Sequence, residues 1–213
     1  MNRPRVLLAD DHTLVVEGFR KLLEPEFDVV GAVEDGRTLL DVAPRLQPDV
    51  ILLDIAMPLL NGIDAARQLK KIVPHAKLIF VTMHADAAYV TEAFRAGGSG
   101  YLLKRSAATE LIVAIREVLQ GRFYVTPLVA KELVEPLTTM SRRTKGASAG
   151  LTPRQREVLQ LLAEGRSNKE MAAILRVSVK AVEFHKSAIA RRLGIHTTAE
   201  LTKYAIEHGL VGT

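Results

Sequence analysis

Five side chains able to do chemistry stand just past, or at the end of, short apolar runs. Asp10 and Asp11 follow Arg5–Ala9, Asp54 follows Val50–Leu53, Thr82 closes the run from Lys77, and Lys104 follows Gly100–Leu103. If these runs are strands of one parallel sheet, all five groups converge outside its carboxyl edge, where such sheets hold ligands. Three carboxylates placed together repel unless a cation intervenes. Hard oxygen donors, in a chain with no Cys, favour Mg2+ over zinc. Asp54 is central and can act as a carboxylate nucleophile toward phosphorus. The metal would neutralise developing charge, Lys104 would offer a point charge to a phosphoryl oxygen, and Thr82 a hydroxyl donor. Taken singly, an Asp after a strand is more often a helix cap or turn former; it is the five together that carry the chemistry.

The elements needed to position these groups are legible in the spacing of apolar residues. Strands are expected at Arg5–Ala9, Asp28–Val33, Val50–Leu53, Lys77–Val81 and Gly100–Leu103. Between them fall amphipathic helices at about 13–24, across Leu39 to Ala43, and at about 62–72, 86–96 and 107–120. Five strand–helix alternations argue a doubly wound α/β unit, a five-stranded parallel sheet with helices on both faces. That unit ends at Gly121-Arg122. Residues 123–150 read as a linker, helical from Pro127 to Leu137 and then polar, small and basic to Gly150. Residues 151–213 are helical throughout. Thr152/Gln155, Ser167/Glu170 and Thr197/Glu200 are capping boxes, Ser178 is a further cap, and Gly165, Gly194 and Gly209 mark helix ends. A small all-α bundle follows.

Charge is unevenly distributed. Of the 29 Lys/Arg and 24 Asp/Glu, residues 1–122 hold 15 and 16, residues 123–150 hold 4 and 2, and residues 151–213 hold 10 and 6. The C-terminal piece is therefore basic by 4 charges, in a chain of net charge +5, which points toward nucleic acid or, more blandly, a solvated basic surface. The N-terminus is not a signal peptide and no apolar run approaches a membrane span, so a cytoplasmic protein with no membrane partner is expected.

The motifs carry a family resemblance. Leu8-Ala-Asp-Asp-His12, Leu53-Asp-Ile-Ala-Met-Pro58 with Gly62, Val81-Thr82 and Gly100-Tyr-Leu-Leu-Lys104 resemble a receiver domain, flavodoxin-like in fold, over about residues 4–121. The resemblance implies that Asp54 is the phosphoacceptor. Asp11 then binds Mg2+ directly, Asp10 acts through water, and the Ala56 carbonyl is a further ligand. It also implies that Thr82 and Lys104 contact the phosphoryl group, and that Tyr101 is the switch aromatic that turns inward on activation. Arg105 stands where many receivers have Pro, often as a cis bond. Ala56 and His84 occupy positions that tune dephosphorylation in the family, and His84 is either a water-steering group or a partly exposed loop histidine.

Residues 151–210 resemble the LuxR-type helix-turn-helix, through Leu151–Val158, Gly165–Ala172, Val177–His185, Ile189 and Arg192-Leu-Gly194. Together the two resemblances imply a response regulator of the NarL/FixJ class. In the helix from Ser178 to Leu193, Val182, Ile189 and Leu193 share a core face. Lys180, Glu183, Phe184, Ser187 and Arg191 share the opposite face, suited to a major groove. Glu183 could accept from cytosine N4, or be a solvated charge, and Phe184 could touch a thymine methyl. Lys180, Arg191, Asn168, Lys169, Ser178, His185 and Lys186 are candidates for backbone contacts and capping. A histidine kinase as phosphodonor, DNA as target and a homodimer on phosphorylation are the partners implied. The chain is expected to catalyse only its own phosphoryl transfer and dephosphorylation. An aspartate-nucleophile phosphatase is the rival from another class, but it needs a second Asp where Ala56 stands. A DNA-binding protein indifferent to phosphorylation is the other.

Overall fold

The computed structural model describes residues 3–130 and 150–211. The chain runs β1 (Arg5–Ala9), α1 (Thr13–Leu23), β2 (Asp28–Val33), α2 (Gly36–Leu46), β3 (Val50–Leu53), α3 (Gly62–Ile72), β4 (Lys77–Thr82), α4 (Ala87–Arg95), β5 (Gly100–Leu103), α5 (Ala107–Leu119) and β6 (Tyr124–Val125). A helical turn starts at Pro127. The rest of the helix expected to Leu137, and the linker to residue 149, lie outside the described residues. Beyond them come α6 (Pro153–Ala163), α7 (Asn168–Leu175), α8 (Val179–Leu193) and α9 (Thr198–Glu207).

Period-2 alternation along the strands builds two cores. Leu7, Ala9, Ile51, Leu53, Leu78, Phe80, Tyr101 and Leu103 face one layer, with α2, α3 and α4. Val6, Leu8, Val50, Leu52, Ile79, Val81 and Leu102 face the other, with α1 and α5. Burial on both faces is why these strands read as unbroken apolar runs. The sheet order is β2-β1-β3-β4-β5-β6, and every pairing is parallel.

The sheet thus has six strands rather than the five expected. The extra strand is Tyr124–Val125, inside the stretch read as linker, pairing with Gly100 and Tyr101. Two residues are too few to show alternation. The Thr126 hydroxyl fixes their place by accepting from Leu103 N at 3.2 Å and donating to Glu110 at 2.9 Å. Val129 is fully buried in the receiver core.

The three capping boxes form as expected, and Ser178 accepts from Ala181 N. Val158, Leu161, Met171, Val182, Ile189 and Ala205 are at the centre of the C-terminal core. The turn between α7 and α8 is three residues, Arg176 to Ser178, opened by Arg176 in the left-handed region at φ 52°.

The helical domain packs against the sheet domain through polar side chains. Arg156 grips the buried Asp64 with Nη2 at 2.6 Å and Nε at 3.0 and 3.1 Å. Arg37 reaches Glu157 at 2.7 Å. Gln160, fully buried, accepts from Asn61 N at 2.8 Å and donates to the Met57 carbonyl at 2.9 Å. Glu164 accepts from Leu59 N at 3.0 Å. Gly209, at φ 63°, lies so close to Tyr89 that a Cβ there would stand 1.8 Å from the phenol oxygen.

Candidate functional site

Strand order reverses between β1 and β3, and that is where a doubly wound sheet opens a crevice. Ala9 pairs with Leu53, and Thr82 with Leu103. Register therefore brings the next residues, Asp10, Asp54 and Lys104, to one edge. Asp10 N donates to Val33 O at 3.0 Å, Asp54 N to Ala9 O at 2.9 Å, and Lys104 N to Thr82 O at 2.9 Å. Each functional backbone position is thus tied to a neighbouring strand. Gly62 opens α3 against the same edge; a Cβ there would lie 2.0 Å from the Asp54 carbonyl oxygen.

Asp10, Asp54 and Thr82 are buried. Lys104 Nζ lies 2.7 Å from Asp54 Oδ2 and 2.8 Å from Asp10 Oδ2. Burial alone would lower the lysine, but the hydrogen bonds and charges of Asp10 and Asp54 outweigh it and hold the ammonium above its usual value. Asp54 Oδ1 accepts from Ile55 N at 2.6 Å. His12 Nδ1 is 2.9 Å from both Asp10 and Asp11. Asp10, Asp11, His12 and Asp54 present ligand atoms all within 4.8 Å of one another. This acidic cluster can bind a metal ion. Its oxygens, two of them on buried carboxylates beside a single ammonium, fit a hard divalent cation.

Asp11, Asp54, Ala56, Thr82 and Lys104 line one cavity of about 510 Å³. Thr82 Oγ1 accepts from His84 N at 3.4 Å. His84 is half-buried and stacks on Tyr89 at 4.2 Å. Burial lowers its imidazole, against the opposing charges of Asp54 and Asp86. Tyr101, expected to move inward as a switch, is already fully buried, its hydroxyl donating to the His84 carbonyl at 2.8 Å. Burial, with Tyr89, Asp86 and Asp54 nearby, pushes its phenol far up. The peptide into Arg105 is trans.

In the helical domain, Val182 and Ile189 are buried and Leu193 half-buried, while Lys180, Glu183, Phe184, Ser187 and Arg191 are all exposed. Phe184 is 70 % exposed, a high value for a phenyl ring on a helix, and packs edge-on against His185. Lys186 Nζ holds Asn168 Oδ1 at 3.0 Å, which joins the start of α7 to the middle of α8. Lys169 is exposed beside it. Ser178 is committed to its cap.

Sequence reasoning passed over Asn61, Asp64, Arg156, Gln160 and Glu164. One signal was available: Gln160 sits inside the apolar run Val158-Leu-Gln-Leu-Leu162. An uncharged polar residue on a core face has a partner to satisfy.

Residues 6–116 match the model of the response regulator receiver domain, and residues 149–205 that of the bacterial regulatory proteins of the luxR family. The chain belongs to the NarL/FixJ class of response regulators. It is 37% identical over 209 residues to the transcriptional regulatory protein MctR of Rhizobium johnstonii, covering 97% of this chain and 95% of that one. It is 34% identical over 226 residues to DegU of Brevibacillus brevis, covering 99% and 96%. Among solved structures it is similar to the RcsB response regulator of Salmonella typhimurium, at TM-score 0.65 and 31% identity over 96% of this chain and 97% of that one. RcsB bound to a promoter in the presence of the phosphomimetic BeF3− gives 0.61 and 29% over 99% and 100%. The chain is a receiver joined to a LuxR-type helix-turn-helix, the architecture of DNA-binding transcriptional response regulators. No helix of the described residues is long and apolar enough to cross a membrane.

Proposed function

We propose that this regulator takes a phosphoryl group from a histidine kinase onto Asp54 and in consequence binds promoter DNA as a homodimer in the cytoplasm. The observation that carries the reading is the single cavity in which Asp54 meets Asp11, Thr82 and Lys104. In the transfer, an Asp54 carboxylate oxygen forms a bond to phosphorus as the phosphorus–nitrogen bond to the donor imidazole breaks. Mg2+, held by Asp10, Asp11, Asp54 and the Ala56 carbonyl, would neutralise charge on the phosphoryl oxygens. Lys104 already reaches Asp54 and needs only a short swing to meet a phosphoryl oxygen; the Thr82 hydroxyl supplies a second donor. The chain acts as an enzyme on no substrate but itself.

On the output side, the exposed face of α8 supports insertion in a major groove, Glu183 and Phe184 facing base edges and Lys180 and Arg191 facing phosphates. Asn168, Lys169, His185 and Lys186 flank it near the DNA backbone. Wild type incubated with acetyl phosphate and Mg2+ should gain the mass of one phosphoryl group, and Asp54→Asn should not. An equal gain in Asp54→Asn would sink the assignment.

A further inference from the structure

The cavity that holds Asp54 is walled partly by the output domain: Ala163, Glu164, Ile206 and Val211 line it alongside Asp11, Thr82 and Lys104. Glu164 is the charged member of that wall. Its Oε1 accepts from Leu59 N at 3.0 Å and from Gln160 Nε2 at 2.8 Å. Its Oε2 is buried with no hydrogen-bond partner among the described residues. It also terminates α6, where the helix dipole presents its negative end and the last turn holds no basic residue. Burial raises its carboxyl; the Gln160 and Leu59 bonds and the charge of Arg166 work the other way, and Asp35 of the receiver adds to the rise. A charge in this place already opposes docking.

The segment it holds is the loop from the phosphosite to α3. Leu59 there stands in the left-handed region at φ 63°, a conformation that residues other than glycine rarely adopt. Met57, Leu59 and Asn61 of this loop are all hydrogen-bonded to Gln160 or Glu164. Tyr101 is already inward while the domains are docked.

We infer that Glu164 is the electrostatic release of the docked output domain: a phosphoryl group on Asp54 puts negative charge into the cavity Glu164 walls, and repulsion frees the loop and parts the domains. This rests on Asp54 being the phosphoacceptor. Turning the Asp54 carboxylate into an acyl phosphate adds about one net negative charge and extends it further into the cavity, and a ligand shifts a two-state equilibrium only by its different affinity for the two states. Glu164 supplies that difference from the output side of the cavity.

The test uses the full chain and the amides of Leu59 and Asn61, which donate across the domain boundary. Hydrogen exchange of residues 57–62 is followed at constant Mg2+, with and without beryllofluoride, in wild type and Glu164→Gln, with uptake of the mimic checked by fluorine NMR. The glutamine keeps the acceptor at Oε1 and loses the charge. Wild type should lose protection by about tenfold on loading, a typical coupling between sites. Glu164→Gln should be at least as protected as wild type beforehand and should keep that protection when equally loaded. Equal loss of protection in both proteins would overturn the inference and leave Asp54 as the acceptor. So would lower protection in unloaded Glu164→Gln, which would make the charge a clamp. If wild type takes up no mimic, both readings fall together.

Discussion

Lys104 stands between two buried carboxylates and neutralises a site that holds more acid than base. Replacing it with Ala leaves Asp10 and Asp54 facing each other without the ammonium, and removing one partner of a buried ion pair destabilises by about 3 kcal/mol. Thermal unfolding should show the loss, and Mg2+ should restore more stability to Lys104→Ala than to wild type, because a cation can take the vacated place between the carboxylates. Glu164, like Lys104, is held above its ordinary value. Its carboxyl is raised when docked, so the docked state holds its proton more tightly than the released state. The docking contributed by this group is fully present below the ordinary carboxylate range and fades as pH rises through the raised value. Asp35 and Arg166 face it, and the Leu59 amide and Gln160 bond it. The difference between wild type and Glu164→Gln isolates its share: the variant should lack this fading in small-angle scattering between acid and neutral pH. An identical pH profile would refute the assignment.

At the scale of elements, β3 and α3 meet around Gly62. A methyl group there collides with the Asp54 carbonyl, which is backbone and cannot step aside. Gly62→Ala should lower stability by about 1–3 kcal/mol and slow phosphorylation by acetyl phosphate, both measurable on the purified chain. Most elements were legible because their signals are local. Strands buried on both faces stand out as apolar runs, and the caps Thr152, Ser167, Ser178 and Thr197 are written within four residues of the helices they start. The site was legible for the same reason: its groups follow strand ends. Gln160 apart, what escaped lacked a local signal. Tyr124–Val125 is made a strand by Gly100 and Tyr101, over twenty residues away. Asp64 looks like any acid in the first turn of a helix; only the fold brings Arg156 to it. The sequence marked Tyr101 only as a candidate switch aromatic; which way it points is decided by packing and the His84 carbonyl.

Across the whole molecule, two small domains are joined by a polar boundary with the buried Asp64–Arg156 pair at its centre. Arg156→Ala leaves Asp64 paired with Arg67 at 2.7 Å, so the receiver should stay folded while docking weakens by about 1–3 kcal/mol. Small-angle scattering should report a larger radius of gyration and an unchanged thermal transition for the receiver; an unchanged radius would count against this boundary in solution. The face of α8 proposed to read DNA is solvent-exposed while the domains are docked, so docking does not act by covering Glu183 or Phe184.

A wall supplied by a second domain also bears on who can deliver the phosphoryl group. A free acyl phosphate is small enough to find Asp54 by diffusion into the crevice. A histidine carried on a folded protein must bring its bulk to the same mouth, against Ile206 and Val211, and so has to wait for the halves to part. The ratio of the two delivery rates would then count how often this regulator opens unprompted.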